Sequence, residues 1–155
     1  MSLRDALFRR PWLFKAYLNF WGPYRGAGIR VTEVAPDFGR VVVELRETSG
    51  NRNAMGTHFG GSLYAMCDPF YVLMFIARLG KDYVVWDKAA SIQFERPGRG
   101  TVRAVFTLTE ADDEAARRAT ADGARYTPTY SVEVMDAHGA RVAVVEKVLY
   151  LRRKP

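Results

Sequence analysis

Between Gly60 and Leu79 the chain reads GGSLYAMCDPFYVLMFIARL and is apolar nearly all round. The length of this run and the Gly80 that stops it predict one long helix. A helix with no polar face has to be buried on most of its sides, so whatever else the chain forms must wrap around this segment. A membrane span is the competing reading. Asp68 and Pro69 interrupt the run, and the apolar stretch falls short of the about 20 residues that a span needs, so the segment is read as a core helix.

The remaining sequence supplies the wrapping. GIRVTEVAPDFGRVVVELRE reads as two strands joined near Pro36 to Gly39, with Val41, Val43 and Leu45 facing one way. Four more strand candidates follow the helix: YVVWDKAASIQFERP, TVRAVFTLTE, TPTYSVEVMDA and ARVAVVEKVLYLRR. Alternation is clear in Val102, Ala104, Phe106 and Leu108, and again in Val142, Val144, Glu146, Val148 and Tyr150. Before the third of these strands, ADDEAARRATADG is a short charged helix with Asp113/Arg117 and Glu114/Arg118 at i,i+4 spacing, read as a solvated excursion. At the start, LRDALFRRPWLFKAYLNFWGPY predicts a helix over about 3–21, restarted at Pro11. A glycine-rich turn at Gly22, Gly26 and Gly28 follows it. Six strands with mostly adjacent antiparallel connections and one apolar helix predict an α+β fold, a sheet wrapped around that helix. Such a sheet leaves apolar surface and edges to hide, which predicts self-association.

At 155 residues and 48% hydrophobic content the chain is read as one domain, 1–155, with its core over about 28–152. The lone Cys67 excludes an intrachain disulfide and, with no secretory signal recognised, predicts a cytoplasmic location. Arg9, Arg10 and Lys15 break up the N-terminal stretch, so that helix is read as covering its own fold, with no membrane insertion. A net charge of +6 suits phosphate-rich partners. The basic residues are scattered, though: Arg96 and Arg99 flank a Pro-Gly turn and Arg152, Arg153 and Lys154 form a tail, so nucleic-acid binding is not supported.

The segment Asn51 to Phe70 carries the chemistry. It sets the pair Gly60-Gly61 at the mouth of the apolar helix and one carboxylate, Asp68, inside it. Backbone N–H groups at a helix start hold developing negative charge, and a carboxylate among apolar side chains has a tunable pKa. The plain alternatives are tight packing for the glycines and a helix interruption at Asp68-Pro69. Cys67 is read as a small core residue. In VVWDKAASIQF, alternation places Trp86, Lys88, Ala90, Ile92 and Phe94 on one face, so that Lys88 or its neighbour Asp87 is expected in a charged pair near Asp68. A register shift exposing Lys88 is the alternative.

Asn53, Gly56, Phe59, Gly60, Gly61 and Asp68, together with the later SIQFERPGRGTV, make roughly Gly28 to Leu151 resemble the hotdog-fold acyl-CoA thioesterases of the phenylacetate-pathway type. The FGGSLYAM and VVWDKAASI runs are similar to those of one bacterial branch of that superfamily. The resemblance implies hydrolysis of an acyl thioester in a pocket at a homodimer or homotetramer interface. It implies no cofactor beyond the coenzyme A of the substrate, and no metal. Gly60 would offer its N–H to the thioester oxygen, and Asp68 would act as base or nucleophile. Asn53 would brace the loop or hold the substrate carbonyl, Gly61, His58, Phe59 and Lys88 would line the site, and Arg96 and Arg99 would meet the coenzyme phosphates. The sequence departs from the pattern at Phe59, where those thioesterases usually carry His; His58 stands next to it. Phe59 is read as packing that makes the pocket mouth more apolar. Hotdog dehydratases are disfavoured, since the expected carboxylate position after His58 holds Val72. A non-catalytic acyl-binding hotdog protein is the alternative.

Overall fold

The computed structural model describes residues 3–155. Three N-terminal helices, α1 (Leu3–Arg9), α2 (Pro11–Phe20) and α3 (Gly22–Ala27), precede strands β1 (Ile29–Val34) and β2 (Arg40–Arg46). The central segment α4 (Gly60–Ala65) and α5 (Phe70–Leu79) follows. Then come β3 (Tyr83–Phe94), β4 (Thr101–Thr107), α6 (Glu110–Ala119), β5 (Thr129–Met135) and β6 (Arg141–Arg153). The six strands form one antiparallel sheet in the order β1-β2-β4-β5-β6-β3. The sheet curls around the central segment, whose Leu63, Met66, Phe70, Met74 and Phe75 are buried against Val43, Leu45, Val102, Ala104, Phe106 and Val145. Gly60–Leu79 has the length and mean hydropathy of a membrane span, against the expectation that it falls short of one, yet here it is the core helix of a sheet.

The central helix is interrupted at residues 66–69. Pro69 has no N–H to give the carbonyl of Ala65 and disfavours helical geometry at Asp68. The orphaned Ala65 carbonyl instead accepts from the buried Tyr24 hydroxyl at 3.2 Å. The N-terminal helices thus complete the core segment at the level of Asp68.

Pro11 opens α2 at a position that needs no N–H. The expected glycine turn is instead the short helix α3, because Gly28, at φ 80°, provides the left-handed stop after it. A side chain at Gly28 would also collide with the Asn51 amide, whose Nδ2 bonds the Ala27 and Arg46 carbonyls.

Two strand faces differ from expectation. In β6 the fully buried residues are Ala143, Val145, Lys147, Leu149 and Leu151, with Val142, whereas Glu146 is exposed and Val144, Val148 and Tyr150 are partly so. Both alternating sets are apolar, so periodicity alone does not choose between them. In β3 the register slips between Asp87 and Ala89. Asp87 is paired with Leu149 and Ile92 with Val145, so Ala90, Ile92 and Phe94 follow Asp87's face, while Trp86 stacks on Tyr150 at 4.5 Å. The slip is centred on Lys88, which is exposed. Helix α6 is tied down rather than merely solvated. Arg78 pairs with Asp113 at 2.7 Å, Tyr130 donates to Asp112 at 3.0 Å, and Ala116 is fully buried; only Glu114–Arg118 keeps its i,i+4 pair, at 3.9 Å.

Candidate active site

At the break in the central helix four side chains meet. The Tyr64 hydroxyl, one turn before Asp68, donates to Asp68 Oδ1 at 2.6 Å. Lys147 Nζ reaches in from β6 and donates to the same Oδ1 at 3.0 Å, to the Tyr64 oxygen at 3.2 Å and to Asp87 Oδ1 at 3.0 Å. Lys147 is fully buried, but Asp68 keeps 47% of its side-chain surface. One carboxylate oxygen is therefore held by two donors, while Oδ2 takes no partner among the described residues.

The electrostatics follow from burial against pairing. Burial alone would push the Lys147 ammonium toward neutrality; its bonds to Asp68, Asp87 and Tyr64 win and hold its pKa above the ordinary lysine value. Burial raises the Asp87 carboxyl, and Lys147 offsets only part of that. Burial also raises the Tyr64 hydroxyl, aided by its bond to Asp68. Cys67 is pushed by burial up to about 12, so the thiol is an inert part of the core. Among the described residues no group of three His, Cys, Asp or Glu side chains is placed to hold a metal ion.

The charged pair expected from Lys88 or Asp87 thus involves Asp87, with Lys147 as the cation; the Lys88 ammonium lies outside the cluster. Alternation in β6 favours its other face and so does not single out Lys147. The available signal was a single ammonium among Ala143, Val145, Leu149 and Leu151, the same signal that drew attention to Lys88.

The second group of candidates surrounds the glycine pair. A side chain at Gly61 would sit 2.4 Å from the Phe59 ring, and one at Gly60 would sit 3.0 Å from the Phe94 ring. Both rings are more than half exposed, at 58% and 56%. The pair lets the ends of two exposed phenyl rings lie against its backbone; at Gly60 the contact is with the tip of the Phe94 ring, which can give by a few tenths of an ångström, and the Gly60 and Gly61 N–H groups bond no acceptor among the described residues.

The preceding loop is braced by Asn53. Its Oδ1 accepts from the N–H groups of Met55 and Thr57, at 2.9 and 3.1 Å, and its Nδ2 donates to the His58 carbonyl at 3.1 Å. His58 is buried at 3% exposure, with Nε2 at 2.7 Å from the Gly100 carbonyl. A carbonyl only accepts, so Nε2 carries the proton and Nδ1 is a buried acceptor with no partner. Arg99 is exposed and ties the turn to the Gly56 carbonyl at 2.8 Å. Arg96, also exposed, lines with Asn53, His58, Gly60, Leu63 and Phe94 a depression of about 480 Å³. The structure therefore brings Asn53, His58, Gly60 and Arg96 together at one end of β3, and Asp68 with Asp87 near the other.

The family described as "Domain of unknown function (DUF4442)" matches residues 10–151. No curated protein matches the chain. Among solved structures, a Pseudomonas aeruginosa protein described as a probable thioesterase is similar at a TM-score of 0.81, with 18% identity over 93% of this chain and 96% of that one. The Escherichia coli PaaI protein from the phenylacetic acid degradation operon aligns at 0.62, with 18% identity over 99% of this chain and 97% of that one. A Haemophilus influenzae thioesterase aligns at 0.64, with 13% identity over 88% of this chain and 87% of that one.

Proposed function

The chain belongs to the DUF4442 family and has the hotdog fold, and from that premise we propose that it hydrolyses an acyl thioester of the acyl-CoA type in a pocket shared by two copies of itself. The observation that carries the proposal is Asp68, a half-exposed carboxylate with one oxygen held by Tyr64 and Lys147 and the other free. Lys147 is a positioning residue in this scheme. It and Tyr64 fix the carboxylate through Oδ1, so that Oδ2 takes the proton from a water as the water oxygen attacks the thioester carbon. The oxygen that becomes negative is stabilised by the Gly60 N–H. The C–S bond then breaks, the acid leaves, and the thiolate takes up a proton.

A length supports a pocket shared between two copies. Gly60 and Asp68 stand eight residues apart, which at the α-helical rise is roughly 12 Å. One carbonyl cannot meet both within one subunit, since each must come within about 3 Å of the reacting group. Strand β3 supplies the solution. It is the last strand of the sheet, with Asp87 at the Asp68 end and Phe94 against Gly60. Antiparallel pairing of two such edges brings the Gly60 end of one copy to the Asp68 end of the other, and covers the half-exposed Trp86 and Phe94. Arg96, exposed beside Gly60, and Arg99, exposed on the same turn and tied to the Gly56 carbonyl, suit the phosphates of coenzyme A. The exposed Phe59 and Phe94 rings suit an apolar acyl chain.

The test is thiol release from a panel of acyl-CoA esters, followed with a thiol-reactive dye, for the wild type and Asp68→Asn. The expected result is release by the wild type and a fall of about 10²–10⁴ in the variant, the range for losing a positioned base. Release that survives Asp68→Asn, or acyl-CoA binding with no release by the wild type, overturns the hydrolytic mechanism; the second result leaves a non-catalytic acyl-binding protein.

A further inference from the structure

Helix α2 turns its polar residues, with Phe14 and Leu18, toward the fold, and its other aromatics toward solvent. Phe14 and Leu18 are buried. Its polar side chains are spent on the edge strand β1. Asn19 exchanges two hydrogen bonds with Val31, Nδ2 to the carbonyl at 2.9 Å and the N–H to Oδ1 at 2.8 Å, as a neighbouring strand would, and Lys15 Nζ donates to the Thr32 carbonyl at 3.2 Å. The sheet edge is thereby closed. The outward face is left to Trp12 and Phe20, 65% and 75% exposed, with Tyr17 and Trp21 beside them at 46% and 43%. Large exposed aromatics on one helix face mark a contact surface rather than chance exposure.

Charge identifies the partner. Arg9 and Arg10 are exposed where α2 begins, and at its far end Arg25 and Arg30 line a shared depression with Asn19, beside Arg46, which pairs with Glu44 at 3.3 Å. Glu33, beside this face, is neutralised by Arg40 at 3.0 Å. Aromatics in the middle and arginines at both ends fit the boundary of an anionic bilayer, where rings settle at headgroup level and each basic group gains from the surface potential. We propose that α2 docks the protein on anionic lipid headgroups, lying on the bilayer without crossing it. The proposal is independent of the thioesterase reading.

The test is sedimentation of the full chain with vesicles of phosphatidylcholine alone and of phosphatidylcholine with phosphatidylglycerol. The expected result is binding to the anionic vesicles only, with release at about 0.5 M salt, where the Debye length shrinks below the reach of a surface charge. Trp12→Ser with Phe20→Ser, both at exposed positions, and separately Arg9→Glu with Arg10→Glu, should each weaken binding by about tenfold or more, a scale set by two interfacial groups. Absence of binding to anionic vesicles at low salt overturns the proposal, and so does binding that both double variants retain. A wild type that ignores vesicles and whose dimers the Trp12/Phe20 variant splits into monomers overturns it too, assigning the face to a second copy.

Discussion

Lys147 is a buried cation, and its effect depends on the two carboxylates it joins. Lys147→Met removes one of two donors to Asp68 Oδ1 and leaves Asp68 and Asp87 facing each other without a counter-charge. Thiol release should fall at the level of kcat, with KM little changed, because the ammonium orients the base and does not line the substrate. Tyr64→Phe removes the other donor and should have a smaller effect of the same kind. The pH dependence has a definite sign. The folded-state pKa of Lys147 is raised, so its stabilisation is fully present below the ordinary lysine value of 10.5 and is lost only as pH rises through the higher folded value. The stability gap between wild type and Lys147→Met in thermal melts should therefore be flat across neutral pH and close only in strong alkali. Asp68 and the glycine pair stand out in the sequence as a candidate site because a carboxylate and paired glycines are conspicuous in an apolar run. Lys147 does not, because Val142, Val144 and Val148 make the wrong face of β6 look equally apolar.

Elements position these residues through features that local pattern only partly reveals. The helix break is one: Pro69 makes it legible, but that Tyr24 supplies the missing donor is a tertiary fact. Tyr24→Phe leaves the Ala65 carbonyl without its partner and should cost about 1 kcal/mol, with a lower midpoint in urea unfolding. The slip at Lys88 is another, since a bulge inverts every face before it and carries no reliable single-residue mark. Deleting Lys88 should restore regular pairing with Asp87 still opposite Leu149 on the Lys147 face, so thiol release should persist while circular dichroism stays that of a folded protein. Helix α6 is a third case: its charged run marks a helix, but the capping box of Thr109 with Asp112 emerges only in the structure, because Thr109 closes the TVRAVFTLTE strand pattern. Asp112 is held below the ordinary aspartate value by Thr109 and Tyr130, although burial opposes this. Its stabilisation is present above pH 3.8 and lost as pH falls through the lower folded value. Thr109→Ala should cost about 1 kcal/mol at neutral pH, and acid melts should show the gap narrowing.

At the scale of the whole molecule, the wrapped sheet was legible because a helix apolar on all sides leaves few other solutions, and β4, with Val102, Ala104 and Phe106 all buried, follows its pattern to the residue. What the pattern left open is how the two halves of the site come together, since Gly60 and Asp68 lie at opposite ends of β3. In the proposed mechanism, pairing of two β3 edges joins the two halves and makes activity a property of the pair rather than of one chain. The direct test mixes two inactive variants, Gly60→Pro, which removes the N–H at a helix position that tolerates proline, and Asp68→Asn. Unfolded and refolded together, they should regain about a quarter of wild-type thiol release, because half of the random dimers are mixed and each mixed dimer carries one intact pocket out of two. Mixed dimers that form, by mass, yet release no more thiol than either variant alone would contradict a pocket built from Gly60 of one copy and Asp68 of the other.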